Sequence, residues 1–239
     1  MARSRACGCL ALVVALLVAC NADAQSAPGG VPFKATGNEP GWTLDIGIDR
    51  ITVVADNGAT RVVVPLSPPA RVEGGRRYES RTDSHTVVVT LLDKVCVDAM
   101  SGMPKPTSVE VTLDERTLKG CGGDATALLR GGPWIVTAVN GRPIAPGKAK
   151  LPMTMAFAAS GRIEGTSLCN RYHATYVLTG EALTVTMPIA TARGCDPPLM
   201  AQERLFLEVL RGIQRFELEE GGVLVLHGAD GGTITARRE

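Results

Sequence analysis

Aromatic residues are scarce in this sequence, at 4% of its 239 residues. An excess of one charge is missing too, with 25 Lys and Arg against 24 Asp and Glu. Binding nucleic acid calls for a basic field and stacking platforms, so these two shortages together argue against a nucleic-acid partner. The sequence has no C-x-x-C pair, and none of its histidines stands at ligand spacing, which leaves a zinc site little support. A P-loop and a dinucleotide fingerprint are also lacking, so no cofactor is expected. The usual serine-nucleophile signatures, G-x-S-x-G and S-x-x-K, do not occur. Beyond the first 19 residues, no apolar run approaches the roughly 20 residues of a membrane-spanning helix.

The N-terminus carries the most specific signal. Arg3 and Arg5 form a short positive region, and Cys7 to Ala19 is apolar and uncharged. This is the pattern of a secretory signal peptide over residues 1–19. It ends in Leu17-Val18-Ala19-Cys20, which resembles the bacterial lipobox. That resemblance implies that the Cys20 thiol is acylated and becomes the mature N-terminus. The alternative is an ordinary signal peptide cut after Ala22-Asp23-Ala24. Acyl chains contribute about 0.8 kcal/mol per buried CH₂, so several of them hold a protein firmly on a membrane. Asn21, rather than aspartate, follows Cys20, which points to the outer membrane, facing the periplasm. Small and polar residues fill 20–30, as in a flexible tether.

Four cysteines lie beyond that region: Cys96, Cys121, Cys169 and Cys195. Four cysteines allow three pairings. The cell envelope is oxidising, and the cysteines cluster two and two on either side of a Gly-rich break near Gly122-Gly123 and Gly131-Gly132. Cys96–Cys121 and Cys169–Cys195 are therefore the expected disulfides, one in each half. In the chain-entropy model each loop closure contributes about 3 kcal/mol.

The two halves, 31–124 and 128–239, both read as mainly β. In the first, strand-like runs cover Trp42 to Ile48, Ile51 to Ala55, Arg61 to Pro65, His85 to Leu92 and Val109 to Leu113. Turn residues separate them at Asp56-Asn57-Gly58, Glu73-Gly74-Gly75 and Asp114-Glu115. In the second, runs begin at Trp134, Met153, Arg162, Thr175, Leu183, Phe216, Val223 and Thr233. One helix interrupts them, from Pro197 to Arg211, with Asp196 as N-cap and Gly212 as stop. Its apolar stripe is Leu205, Phe206, Val209, Leu210 and Ile213. The fold class expected is β-rich α+β: two small antiparallel barrel- or sandwich-like domains, the second with one packed helix.

The second half resembles the META domain, also called HslJ-like. Three blocks carry the resemblance. The first is Gly131-Gly132-Pro133-Trp134 with Val139-Asn140-Gly141. The second is Gly161-Arg162, Gly165 and Cys169-Asn170-Arg171-Tyr172. The third is Ala190-Thr191-Ala192-Arg193-Gly194-Cys195 with Glu203, Phe206 and Leu210. Leu168 departs from the family, which often has glycine there, and this puts the local turn in question. The first half resembles a companion domain of envelope lipoproteins. Its carrying residues are Gly37 to Trp42, Cys96 to Gly102 and Gly120 to Gly123. The META resemblance implies a non-enzymatic protein associated with heat and antibiotic stress at the envelope. Similar folds occur in secretion-pilot lipoproteins that bind apolar ligands.

Glu203 is the most informative single residue. It precedes Phe206 and Leu210 by three and seven positions, which puts a carboxylate on the apolar face of the helix. A buried carboxylate needs donors. Those expected are amides of the Thr191 to Cys195 loop, or Arg193. A buried general base is the sharper alternative. Asn170 and Tyr172 are expected to support a turn or strand, with ligand recognition as the alternative. Ser101, Asp98 and the scattered His85, His173 and His227 could form a catalytic set only if the fold assembles them. The functional expectation is a non-catalytic envelope lipoprotein with a binding or stress-protective role. Its partners would be the membrane, through the lipid anchor, and an envelope protein or apolar ligand. The alternative is an inhibitor of a secreted hydrolase such as a lysozyme or protease, presenting Asn38 to Gly41 or Met100 to Pro106 as a rigid loop.

Overall fold

The computed structural model describes residues 32–145, 147 and 149–238. The signal peptide, the Cys20 lipidation site and the tether expected over 1–30 lie outside the described residues. Among the described residues, no helix is long and apolar enough to cross a membrane.

Alternation of buried and open positions builds most strands of the first half. Its strands are β1 (Phe33–Asn38), β2 (Gly41–Ile46), β3 (Arg50–Ala55), β4 (Thr60–Pro65), β5 (Ala70–Val72), β6 (Gly75–Arg81) and β7 (Thr86–Leu92). A small hairpin follows, β8 (Cys96–Val97) with β9 (Pro104–Lys105), and then β10 (Thr107–Leu113) and β11 (Arg116–Gly122). Nine of these strands form one antiparallel sheet in the order β4-β3-β2-β1-β11-β10-β7-β6-β5. Val87, Val89 and Leu91 of β7 face the core together with Val109, Val111 and Leu113 of β10. A one-residue slip would turn all six outward, so burial fixes the register. The sheet curls until β4 meets β6, forming a half-barrel. Asn38 pairs with Gly41 across the Glu39-Pro40 turn, so the expected turn into the Trp42 strand is present.

A one-turn helix, α1 (Thr126–Leu129), joins the halves. Sequence reading missed it, because four residues carry no helical period. Its carbonyls are satisfied from the far end of the chain. Arg238 Nη2 donates to the Leu129 carbonyl at 2.7 Å and to that of Arg130, while its guanidinium lies 3.9 Å over the Trp134 ring. Trp134 Nε1 donates to the Leu129 carbonyl at 2.8 Å.

The second half contains β12 (Trp134–Val139), β13 (Arg142–Pro143), β14 (Thr154–Phe157), β15 (Arg162–Thr166), β16 (Arg171–Leu178), β17 (Leu183–Val185) and β18 (Ile189–Ala190). Then come α2 (Pro197–Arg211), β19 (Ile213–Glu219), β20 (Val223–Gly228) and β21 (Thr233–Arg237). The sheet runs β17-β16-β15-β14-β12-β21-β20-β19, with β13 beside β12 and β18 beside β16. β17 lies against β19, so this sheet is a nearly closed barrel. α2 covers the opening and buries Leu199, Phe206, Val209 and Leu210. The helix has the expected bounds, but two details differ. Asp196 makes no side-chain cap: the second helical residue is Pro198, which has no N–H to offer, and the amides of Leu199 and Met200 donate to the Asp196 carbonyl instead. Ile213 opens β19 rather than ending the helical stripe, and Gly212 stops the helix at φ −91°, without a left-handed turn.

Met103 couples the halves. It belongs to the loop between β8 and β9, yet it is 1% exposed and packs within the core of the second half. β9 itself lies against β19.

Candidate functional site

Both cysteine pairs stand at disulfide distance, with Cα–Cα separations of 5.5 Å for Cys96–Cys121 and 6.0 Å for Cys169–Cys195. Each marks a polar cluster.

The first cluster unites the three stretches singled out in the first half. Asp98 Oδ1 accepts from the amides of Met100 at 3.1 Å and Ser101 at 2.8 Å, and from Ser101 Oγ at 2.9 Å. Asp98 Oδ2 accepts from Asn38 Nδ2 at 3.3 Å. Burial pushes the Asp98 carboxyl up, but these donors outweigh it and hold the group below the usual carboxylate range. Trp42 Nε1 donates to the Lys119 carbonyl at 3.2 Å. The result is a loop pinned by a disulfide and a capped carboxylate, with Met100 standing out at 81% exposure. Ser101 Oγ is committed to Asp98, and His85, just before β7, binds Asp114, just after β10, at 3.0 Å. Ser101 and His85 are therefore engaged separately; His173 lies in a strand of the second half, and His227 there is 3.5 Å from Glu217.

The second cluster lies where the turn into β16 meets α2. Glu203 Oε2 accepts from Ser167 Oγ at 2.6 Å and from the Asn170 amide at 3.1 Å. Glu203 Oε1 accepts from Asn170 Nδ2 at 2.8 Å. Asn170 Oδ1 in turn accepts from Thr191 Oγ1 at 2.7 Å and from the Arg193 amide at 2.8 Å, and Asn170 Nδ2 donates to the Arg193 carbonyl at 3.2 Å. Ser167 and Asn170 are 0% and 4% exposed, so these bonds replace solvent rather than compete with it. This corrects the sequence expectation. Glu203 does not reach the amides of the Thr191 to Cys195 loop; Asn170 does, and Glu203 holds Asn170. Arg193 takes part through its backbone, and its side chain is left exposed. Ser167 and Thr191 escaped sequence reading because an isolated hydroxyl carries no periodic signal.

Tyr172 faces inward at 3% exposure, donates to the Thr154 carbonyl at 2.9 Å and meets the Phe206 ring edge-on at 5.4 Å. Burial pushes its phenol far above the usual tyrosine value. Its place is structural. Leu168 occupies the turn with φ +74°, the left-handed region that glycine adopts freely, and its side chain is 2% exposed. At the turn questioned from sequence, a leucine thus carries the left-handed conformation and fills the core. Among the described residues, no group of three His, Cys, Asp or Glu converges as a metal site would require.

The model of the META domain family matches residues 127–239, the stretch that holds this second cluster, α2 and the barrel. The second half is a META domain. Two solved structures are similar to part of the chain. One, an NMR structure of a protein from Burkholderia xenovorans, is 27% identical, over 48% of this chain and 86% of that one, with a TM-score of 0.41. Another NMR structure is 26% identical, over 46% of this chain and 92% of that one, with a TM-score of 0.38. No curated protein matches the chain. Within the META domain, the Asn170, Thr191 and Glu203 blocks are distant in sequence, and the network joins them. Gly165, from the same set, is needed for contact: a Cβ there would sit 2.1 Å from the Thr154 carbonyl oxygen of the paired strand.

Beside the second disulfide the META domain has a cleft of about 550 Å³. Lys150, Arg171, Arg193 and Asp196 line it above Leu168, Leu199 and the Cys169–Cys195 bridge.

Proposed function

We propose that the protein is a non-catalytic lipoprotein of the bacterial cell envelope, with a binding or stress-protective role of the heat- and antibiotic-tolerance type. Its anchor would be the acylated Cys20, in the outer membrane and facing the periplasm. The observation that carries the non-catalytic reading is the commitment of Glu203. Three hydrogen bonds fall on its carboxylate, from Ser167 Oγ and from the amide and side chain of Asn170, and these support a structural rather than a proton-transfer role. A general base keeps an acceptor free for a substrate proton. Glu203 is instead a structural acceptor that sets the loop beside the cleft. The lipobox-like Leu17 to Cys20 and the two disulfide-distance pairs support the envelope reading.

The test is to draw the lipidated protein from gently solubilised envelopes, with a Cys20→Ala form as control. A stoichiometric protein or lipid companion is expected. Turnover of an envelope substrate by the mature protein would overturn the reading.

A second reading, inhibition of a secreted lysozyme or protease, is favoured by the pinned loop that carries Met100. Rigid protruding loops bind with little ordering cost. Failure of the mature protein to slow a panel of such enzymes would remove it.

A further inference from the structure

We infer that the cleft beside the Cys169–Cys195 disulfide binds an anionic amphiphile, a molecule with a phosphate head and an apolar tail. Its volume, about 550 Å³, falls in the range of small-molecule sites. Three cationic side chains line it against a single acid, Asp196. Among the described residues, neither Lys150, Arg171 nor Arg193 takes part in an ion pair, whereas Arg50, Arg116, Arg130, Arg162 and Arg215 do. Three unneutralised cations around one concavity form a site of positive potential that an anion relieves. Guanidinium forks match phosphate oxygens in pairs.

The two arginines are also placed rather than loose at their bases. The Arg193 amide and carbonyl both bind the Asn170 side chain. Arg171 directly follows Asn170; its amide donates to Thr191 Oγ1 at 3.3 Å, and its carbonyl accepts from the Thr191 amide at 3.0 Å. The Glu203–Asn170–Thr191 network, centred on the buried Asn170, thus holds the backbone of both, each two residues from a cysteine of the disulfide. The rest of the lining is largely apolar: Leu168 and Leu199 are buried, and the half-buried Ala149 and Leu151 leave apolar surface open to a tail. A free phosphate would satisfy the rim and leave that apolar surface wet, while an amphiphile satisfies both.

The other clefts lack this combination. The groove over β14 to β16 includes Glu164, which pairs with Arg162 at 3.4 Å. The cleft at the first disulfide includes Asp98 and Glu110, with Lys119 already 3.8 Å from Glu110.

The inference rests on the binding reading above, and it can fail alone. The test titrates the mature two-domain chain, residues 21–239, with monomeric dodecyl phosphate by calorimetry. Inorganic phosphate and the neutral dodecyl maltoside are run in parallel. One-to-one binding of dodecyl phosphate is expected, weakening as salt rises and falling at least about tenfold in R171A/R193A. R171Q/R193Q serves if the alanine form melts early. Unchanged binding in both double variants, or equal binding of the maltoside, would overturn the site. Binding of inorganic phosphate as tight as that of dodecyl phosphate would overturn the amphiphile and assign the rim to soluble phosphates. An envelope companion captured equally by wild type and R171A/R193A would remove this site and leave the binding reading standing.

Discussion

Replacing Glu203 with alanine removes the acceptor that organises the second cluster, and its cost can be worked out donor by donor. Ser167 Oγ loses its 2.6 Å partner but still reaches the Asn170 carbonyl at 3.1 Å. The Asn170 side chain keeps one donor bond, to the Arg193 carbonyl, and loses the other. The Asn170 amide loses its acceptor outright. Two donors are therefore left unpaired at a residue only 4% exposed. At about 1–3 kcal/mol for each unsatisfied buried donor, with water entering from the partly open Glu203 side, the loss is about 2–4 kcal/mol. For a chain of this size that is about 4–16 °C in Tm, at roughly 2–4 °C per kcal/mol. Glu203→Gln keeps one acceptor but turns an NH₂ toward a donor whichever way the amide lies, so it should fall between alanine and wild type. Thermal melts followed by circular dichroism measure the shift, and amide hydrogen exchange at Asn170 and Arg193 localises it. If Glu203→Ala melts within about 1 °C of wild type and both amides stay protected, Glu203 is not the structural acceptor described here.

Three further outcomes follow from the same geometry. Met103→Ala should cost about 2–4 kcal/mol, because it empties a fully buried site in the META core; urea unfolding of the whole chain measures this, and an unchanged midpoint would show that the first half does not brace the second. Gly165→Ala should weaken the pairing of β14 with β15 through the 2.1 Å clash with Thr154, read as faster exchange of the Ala156 and Thr166 amides with no change at β1. The Asp98 carboxyl is held below its ordinary value in the folded chain, so its stabilisation is complete above about pH 4 and is lost as pH falls through the lower folded value. Asp98→Asn should be less stable at pH 7 and show a flatter urea midpoint from pH 7 to pH 2; a parallel acid decline in both forms would contradict the assignment.

Elements with strong local signals were legible in the sequence. β12 and β15 and the whole of α2 occupy the residues expected, because alternation and a helical stripe bounded by proline and glycine are local facts. β1, β6 and β11 were not legible as strands. β6 carries Arg77, Glu79 and Arg81 on its open face and an exposed Arg76 on the other, so only Tyr78 and Ser80 mark an inner side. β11 holds Gly120 and Gly122, small because β1 passes close: a Cβ at Gly120 would lie 2.1 Å from the Thr36 carbonyl oxygen. Such residues look like loop until the partner strand is known. The cysteine pairing was legible from clustering. Glu203 stood out because a carboxylate on an apolar stripe demands an explanation, but its partners were misassigned. Asn170 is 33 residues away, and only the closed barrel brings it to α2. The docking of Met103 into the other half left no trace in sequence at all.

The central claim is that this protein binds and does not turn over its target. The most direct measurement incubates the mature two-domain chain with isolated bacterial envelopes and analyses the mixture by mass spectrometry for new products and for material bound to the protein. The account predicts a bound companion in stoichiometric amount and no product beyond that formed with heat-denatured protein. Product that accumulates in proportion to the native protein added would contradict it.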